Sequence, residues 1–300
     1  MNLRLININK VVWISAILNI FLSLLKVFAG IYGRSAAMIA DAVHSLSDLA
    51  TDVIAWLGLR VADRPADKSH NYGHGKAETL TSTIIGLVLI VVGLDIFWSS
   101  AQSILKSFDG MILPKPKWIA VYAAIVSIVT KEWIFRYSME KEKSIKSQAI
   151  VANAWHHRSD ALSSVCALIG ISGAILLGDK WRILDPIAAV LVSLFICKIA
   201  ITICARSINE LLEASLDEKT IKEILQTIRS VDGAQNPHDM RTRRLGNNIA
   251  IDVHIDVNRT LDIVNAHDIS TQVEKKLKDK FGRKTFVSIH IEPARNAPTR

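Results

Sequence analysis

Cysteine is scarce in this sequence: Cys166, Cys197 and Cys204 are the three among 300 residues, and each falls inside an apolar run. Without metal-type spacing they read as small buried hydrophobes, which excludes a cysteine metal site. There is no His-Glu-x-x-His pair and no nucleophile motif, so an intramembrane metalloenzyme finds no support and the chain reads as a non-enzyme. A block of basic residues is also missing. The formal net charge is +8, but the lysines and arginines are dispersed to the ends of apolar segments, which argues for a bilayer and against nucleic acid. No cleavable signal is expected, because the first apolar segment is too long for a signal-peptide core and lacks a cleavage site.

What is present is hydrophobicity interrupted in an ordered way. Half of the residues are hydrophobic and 21% are charged, a mixture that a membrane part joined to a polar soluble part accounts for. Six spans are expected, at residues 11–33, 36–61, about 77–105, about 118–138, from near 148 to 178, and about 187–205. The first is interrupted by Lys26 and carries Ser15, Asn19 and Ser23 at every fourth position. The fourth carries Lys131 and Glu132 toward its end, and Pro114 and Pro116 mark the turn before it. Lys/Arg residues gather before span 1, in loops 2–3 and 4–5, and after span 6, which places both termini in the cytosol.

From about residue 207 the pattern changes. An amphipathic helix over 217–230 capped by Asp217, a hairpin from Asp239 to Val257, a helix over 263–281 and a strand from Phe286 to Ile291 are expected. The order α-β-β-α-β describes a small cytosolic α+β domain. The domain boundaries expected are 1–206 for the membrane part, 207–293 for the soluble part, and 294–300 for a disordered tail.

Two pairs with one spacing carry the chemistry. His44 and Asp48 stand four residues apart in span 2, and His156 and Asp160 repeat that spacing in span 5, so each pair projects from one helix face. Asp41, His44, Ser45, Asp48 and Asp52 form a stripe that cannot face lipid. Span 2 running inward and span 5 outward bring the two pairs to the same depth. Two imidazoles and two carboxylates make a tetrahedral N2O2 site, for which Zn2+ is the best fit. Imidazole nitrogen argues against Mg2+ and Ca2+, while Fe2+, Mn2+ and Cd2+ remain compatible with the ligand types. His157 for His156, and Asp41 for Asp48, are alternative ligands. A divalent ion there is neutralised, and its departure favours proton uptake, a basis for metal/proton antiport. The competing reading is a metal sensor or assembly scaffold that holds the ion without moving it.

Two further groups are weaker by spacing alone. Asp67, His70 and His74 lie within eight loop residues, as a surface metal site or a solvated loop would have them. In the soluble part His238, His254, His267, His290 and Glu292 are dispersed in sequence, and spacing does not assemble them.

Ala40-Asp41-Ala42-x-His44-Ser45-x-x-Asp48, Pro65-x-Asp67 through His70 to Tyr72-Gly73-His74-Gly75-Lys76-x-Glu78, and Ala154 through His156 and Ser159-Asp160 together resemble the cation diffusion facilitator family of bacterial zinc and iron efflux type. His238-Asp239-x-Arg241-x-Arg243, His254, Ala266-His267 and His290-x-Glu292 extend the likeness over nearly the whole chain. The resemblance implies a homodimeric metal/proton antiporter of six helices in the bacterial inner membrane, with a cytosolic metallochaperone-like (ferredoxin-like) domain. It implies a transport site at His44, Asp48, His156 and Asp160, a loop site at Asp67, His70 and His74, and a dimer-stabilising zinc site using His238, His254, His267, His290 and Glu292. Lys76 and Glu213 match positions that form charge interlocks at the family's dimer contact. His44 stands where some bacterial members have Asp, as in zinc-preferring members, and Glu292 stands where they have Asp.

Overall fold

A computed structural model describes residues 3–62, 66–145, 148–246 and 248–294; the side chains of 3–12, 51–62, 141–145, 148–157 and 159 lie outside that description. Of the expected tail 294–300, residues 295–300 lie outside it as well. Six long helices come first: α1 Leu3–Gly33, α2 Ala36–Ala62, α3 Lys76–Phe108, α4 Trp118–Ile145, α5 Gln148–Leu176 and α6 Leu184–Leu211, with a 3-10 turn Asp179–Ile183 before the last. Most of these run beyond the expected spans, because hydropathy marks only the apolar stretch while the helix continues into polar flanks. Among the described residues four helices are long and apolar enough to cross a membrane by length and composition. In α5 the described apolar part is Asp160–Leu176. α2 carries Asp41 and Asp48 within its apolar length.

The helices are polar inward. On α1, Trp13, Ile17, Phe21, Leu24, Phe28 and Ile31 are exposed at helical spacing, whereas Ser15, Ser23 and Lys26 are buried. A membrane solvates the apolar stripe, and the polar stripe must find partners in protein. Close packing is made by small residues: Ala29, Ala37, Ala120, Ala123, Ala124, Ala167 and Ala188 share one cluster, as helices in lipid associate by close backbone approach. The α1–α2 connection is a left-handed cap, but its left-handed residue is Arg34 (φ 51°), not Gly33. Gly33 is needed for space, since a Cβ there would meet Ala120 Cβ at 3.0 Å. Asp185, in the first turn of α6, accepts from Ser35 Oγ at 2.6 Å and from the Ala36 N–H at 2.7 Å, which satisfies the first turn of α2.

The soluble part has α7 Glu218–Arg229, β1 Gln235–Leu245, β2 Asn248–Val257, α8 Ile263–Phe281 and β3 Phe286–Pro293. Asp217 accepts from the Thr220 N–H and caps α7, as expected, and Asp262 caps α8 in the same way. The sheet order is β1-β2-β3, antiparallel between β1 and β2 and parallel between β2 and β3, α8 being the crossover that a parallel pair requires. Ile224, Ile228, Ile251, Val253, Ile255, Val273 and Leu277 form its core. β1 begins four residues before the expected Asp239. Asn236 (φ 42°) and Asp239 (φ 44°) are left-handed and the register shifts on both sides of His238. Such irregularity breaks the period-two pattern by which a strand start is read.

By contacts the chain divides into two compact units, one of residues 1–53 and 84–203, the other of residues 54–83 and 204–300. The loop after α2 thus groups with the C-terminal part.

Candidate metal centres

In the first unit α2 and α5 converge. Ligand atoms of His44, Asp48 and Asp160 all lie within 4.8 Å of one another. His44 is 2% exposed and Asp160 6% by side chain, and Asp48 is half-buried at 16%. His44 Nε2 lies 4.0 Å from Asp48 Oδ2, a product of the four-residue spacing on one helix. The His44 ring makes a T-shaped contact with Phe195 of α6. Among the described residues neither His44 nitrogen has a hydrogen-bond partner. A buried polar atom without one is costly, and an imidazole lone pair turned toward two carboxylates suits a cation. His156 and His157 lie on α5, with side chains outside the description.

Asp41, an alternative ligand by sequence, is committed elsewhere. Its carboxylate takes Lys26 Nζ at 2.8 Å, Ser163 Oγ at 2.7 Å and Ser164 Oγ at 2.8 Å, which joins α1, α2 and α5 through a network with no exposed surface at Lys26 or Asp41. Asp160 also receives a lysine, Lys131 Nζ at 3.1 Å. By sequence Lys26 only interrupts the first span and Lys131 lies toward the end of the fourth; an ionisable residue in an apolar helix is the signal available for both.

In the second unit the loop brings Asp67, His70 and His74 together, again with ligand atoms within 4.8 Å. Asp67 Oδ1 lies 3.4 Å from His70 Nδ1, and Oδ2 lies 3.5 Å from His74 Nε2. The Ser69 hydroxyl and the backbone N–H groups of His70 and Ser69 donate to Asp67 Oδ1. Those donors, the hydroxyl first, hold the Asp67 carboxyl far below the usual carboxylate range. Lys76 Nζ pairs with Glu213 Oε1 at 2.8 Å within this unit, and Arg243 approaches the same oxygen at 3.8 Å.

The sheet assembles the third group by register. His238 is paired with His254 across β1 and β2, and His254 with His290 across β2 and β3. Two residues further, Asp256 is paired with Glu292, and the period of two puts both on the histidine face. His254 Nδ1 lies 2.9 Å from Glu292 Oε1, His238 Nε2 3.5 Å from Glu292 Oε2, and His290 Nε2 3.8 Å from Oε1. The opposite face of β2 is core, with Val253, Ile255 and Val257 buried. His238 also faces the Asn236 carbonyl at 2.8 Å. That acceptor, with Asp256 and Glu292 nearby, raises its pKa. Asp256 and Asp239 join groups with these histidines, and the sequence reading missed both; applying the period of two from His254 finds Asp256. His267, on α8, belongs to none of these groups among the described residues.

Comparison with known proteins agrees over the whole chain. The family model for the cation efflux transmembrane domain matches residues 12–212, and that for the cytoplasmic domain of cation efflux proteins matches residues 216–294. The chain is 32% identical over 288 residues to the manganese efflux system protein MneP of Bacillus subtilis, covering 95% of both. It is 36% identical over 273 residues to an uncharacterized transporter of Methanocaldococcus jannaschii, covering 90% of this chain and 93% of that one. It is also 36% identical over 291 residues to metal tolerance protein C1 of Arabidopsis thaliana, covering 92% of this chain but only 60% of that relative's length.

Proposed function

The chain belongs to the cation efflux, or cation diffusion facilitator, family of integral membrane transporters of divalent metal, and on that premise we propose that it exports Zn2+ from the cytosol in exchange for protons. The observation that carries the proposal is the convergence of His44, Asp48 and Asp160 inside the helical unit. With His156, one helical turn from Asp160, they supply two nitrogens and two carboxylates, the tetrahedral set that zinc takes. Neutralising the ion lowers the cost of holding it at membrane depth. Protonation of the vacated ligands relieves the repulsion left behind, which couples departure of the ion to entry of protons.

Residues 1–206 are the transport domain in this reading, 207–293 the cytosolic domain, and both termini are cytosolic in a bacterial inner membrane. Zinc at His238, His254, His290 and Glu292, with His267, holds the homodimer together, and the loop ligands Asp67, His70 and His74 take a further ion. Lys76 and Glu213 lock the dimer contact by charge. The likeness to a manganese efflux protein favours Mn2+ as a second reading, but two imidazoles are softer ligands than Mn2+ prefers.

Metal flux into proteoliposomes with an imposed pH gradient tests the reading, with Zn2+, Cd2+, Fe2+ and Mn2+ offered separately and Asp160→Ala as control. Zinc-selective flux that follows the gradient and disappears in the variant is expected. Stoichiometric zinc binding without flux overturns transport in favour of a sensor or scaffold, and flux that survives Asp160→Ala overturns the site.

A further inference from the structure

Two lysines are enclosed in the helical unit, and the transport scheme uses neither. Lys26 is fully committed: its ammonium has three donors, and Asp41 Oδ2, Ser45 Oγ and Ser164 Oγ take them at 2.8, 2.9 and 2.8 Å. That arrangement is structural.

Lys131 is placed differently. Its Nζ donates to Asp160 Oδ2 at 3.1 Å, with side chains only 3% and 6% exposed. Asp160 is at the same time one of the three side chains whose ligand atoms converge. The carboxylate available to an ion is thus the carboxylate that already holds a cation.

We propose that Lys131 is a tethered counter-cation of the transport site, holding Asp160 while no ion is bound and yielding it when a divalent ion enters. The inference rests on His44, Asp48 and Asp160 being that site. An ammonium and a divalent ion cannot share one enclosed carboxylate without strong like-charge repulsion, so occupation by the ion requires the ammonium to withdraw. Lysine suits this exchange, being a compact charge on a flexible four-carbon stem with no fixed planar fork. Asp41 is no free second berth for Lys131, because it already holds the Lys26 ammonium and accepts from Ser163 and Ser164. Two carboxylates unopposed, one of them buried, would hold a divalent ion too tightly to release it, and conduction through a membrane site needs binding weak enough to leave. Lys131 therefore sets affinity and release rate without being a ligand.

The test uses full-length protein: Zn2+ titration in detergent and initial rates in proteoliposomes, for wild type, Lys131→Gln, Lys131→Met and Lys131→Arg. Binding at the transport site is the part of the isotherm that Asp160→Ala removes. Glutamine keeps a donor toward Asp160 while removing the charge, and it stands in if the methionine variant fails to fold. Removing the charge is expected to tighten transport-site binding about tenfold or more, the change that relief of about 1.4 kcal/mol of like-charge repulsion already gives, and to lower KM and kcat together as release slows. Lys131→Arg is expected to keep weak binding. Unchanged or weaker affinity in both neutral variants overturns the proposal and makes Lys131 a support for Asp160. If Asp160→Ala removes no part of the isotherm, the site reading fails first, whatever Lys131 does.

Discussion

Lys26 Nζ lies 2.8 Å from Asp41 Oδ2, and neither side chain has any exposed surface. Ser163 and Ser164 complete the Asp41 shell, so the pair fastens α1 and α2 to α5 directly beside the converging His44, Asp48 and Asp160. Removing one partner of a buried ion pair leaves an uncompensated charge, which costs about 3–5 kcal/mol. Asp41→Ala is therefore expected to lower the thermal midpoint in detergent sharply, and Lys26→Met/Asp41→Ala to recover most of the loss. A double variant as unstable as the two singles combined would refute coupling between the two residues.

A second prediction concerns the loop after α2. A Cβ on Gly75 would lie 2.5 Å from the Leu245 carbonyl oxygen, and one on Gly246 (φ 64°) would lie 2.7 Å from the Gly75 oxygen. Backbone meets backbone there, and no side chain can turn aside. Gly75→Ala is expected to force the loop from the β1–β2 turn and to speed limited trypsin cleavage between residues 66 and 76. An unchanged cleavage pattern would mean that the contact is not held in solution.

The histidine face of the sheet supplies a third. His254 is the central member, paired with His238 on one side and His290 on the other. His254→Ala is expected to weaken zinc binding to the C-terminal part by about 100-fold or more, since even outer-shell partners are worth 10–100-fold. Zinc-dependent compaction measured by X-ray scattering should be lost with it, while the Asp160-dependent binding in the helices persists. Equal compaction with and without His254 would remove it from the site.

Acid should act through the cap of α7. The Thr220 backbone N–H and hydroxyl donate to Asp217 and hold its carboxyl below the ordinary range. A depressed pKa contributes stability that is fully present above the unfolded value and lost as pH falls through the folded one. The fragment 212–300 contains every core residue from Leu216 to Ile291. Its melting temperature is expected to be insensitive to pH near neutrality and to fall below about pH 4, the ordinary aspartate value. Asp217→Asn keeps an N-cap and should show a shallower acid limb. An acid limb identical to wild type would exclude Asp217 as the titrating group.

Much of this protein was legible because it is written in local periods. A four-residue spacing puts His44 over Asp48 on any helix, and Asp217 and Asp262 announce the helices they cap. Alternation places His254 on the face of β2 opposite Val253 and Ile255. In each case the backbone geometry of one element suffices.

Other features depend on which element lies across the gap. Lys26 and Ser164 are 138 residues apart and bonded, and nothing in the span around Lys26 says whether it meets Asp41 or lipid headgroups. Lys131 lies toward the end of its expected span, and only the packing of α5 brings Asp160 to it. Strand register likewise decided that Asp256 faces Glu292 and that His238 stands in line with His254, while among the described residues His267 joins none of these groups. The sequence by itself determined the helices, the strands, the polar stripes and the family. Tertiary structure alone decided that Asp41 and Asp160 each take a lysine and that Asp160, across from α2, converges with His44, because charge pairing is set by packing between helices distant in the chain, and local period carries no record of it.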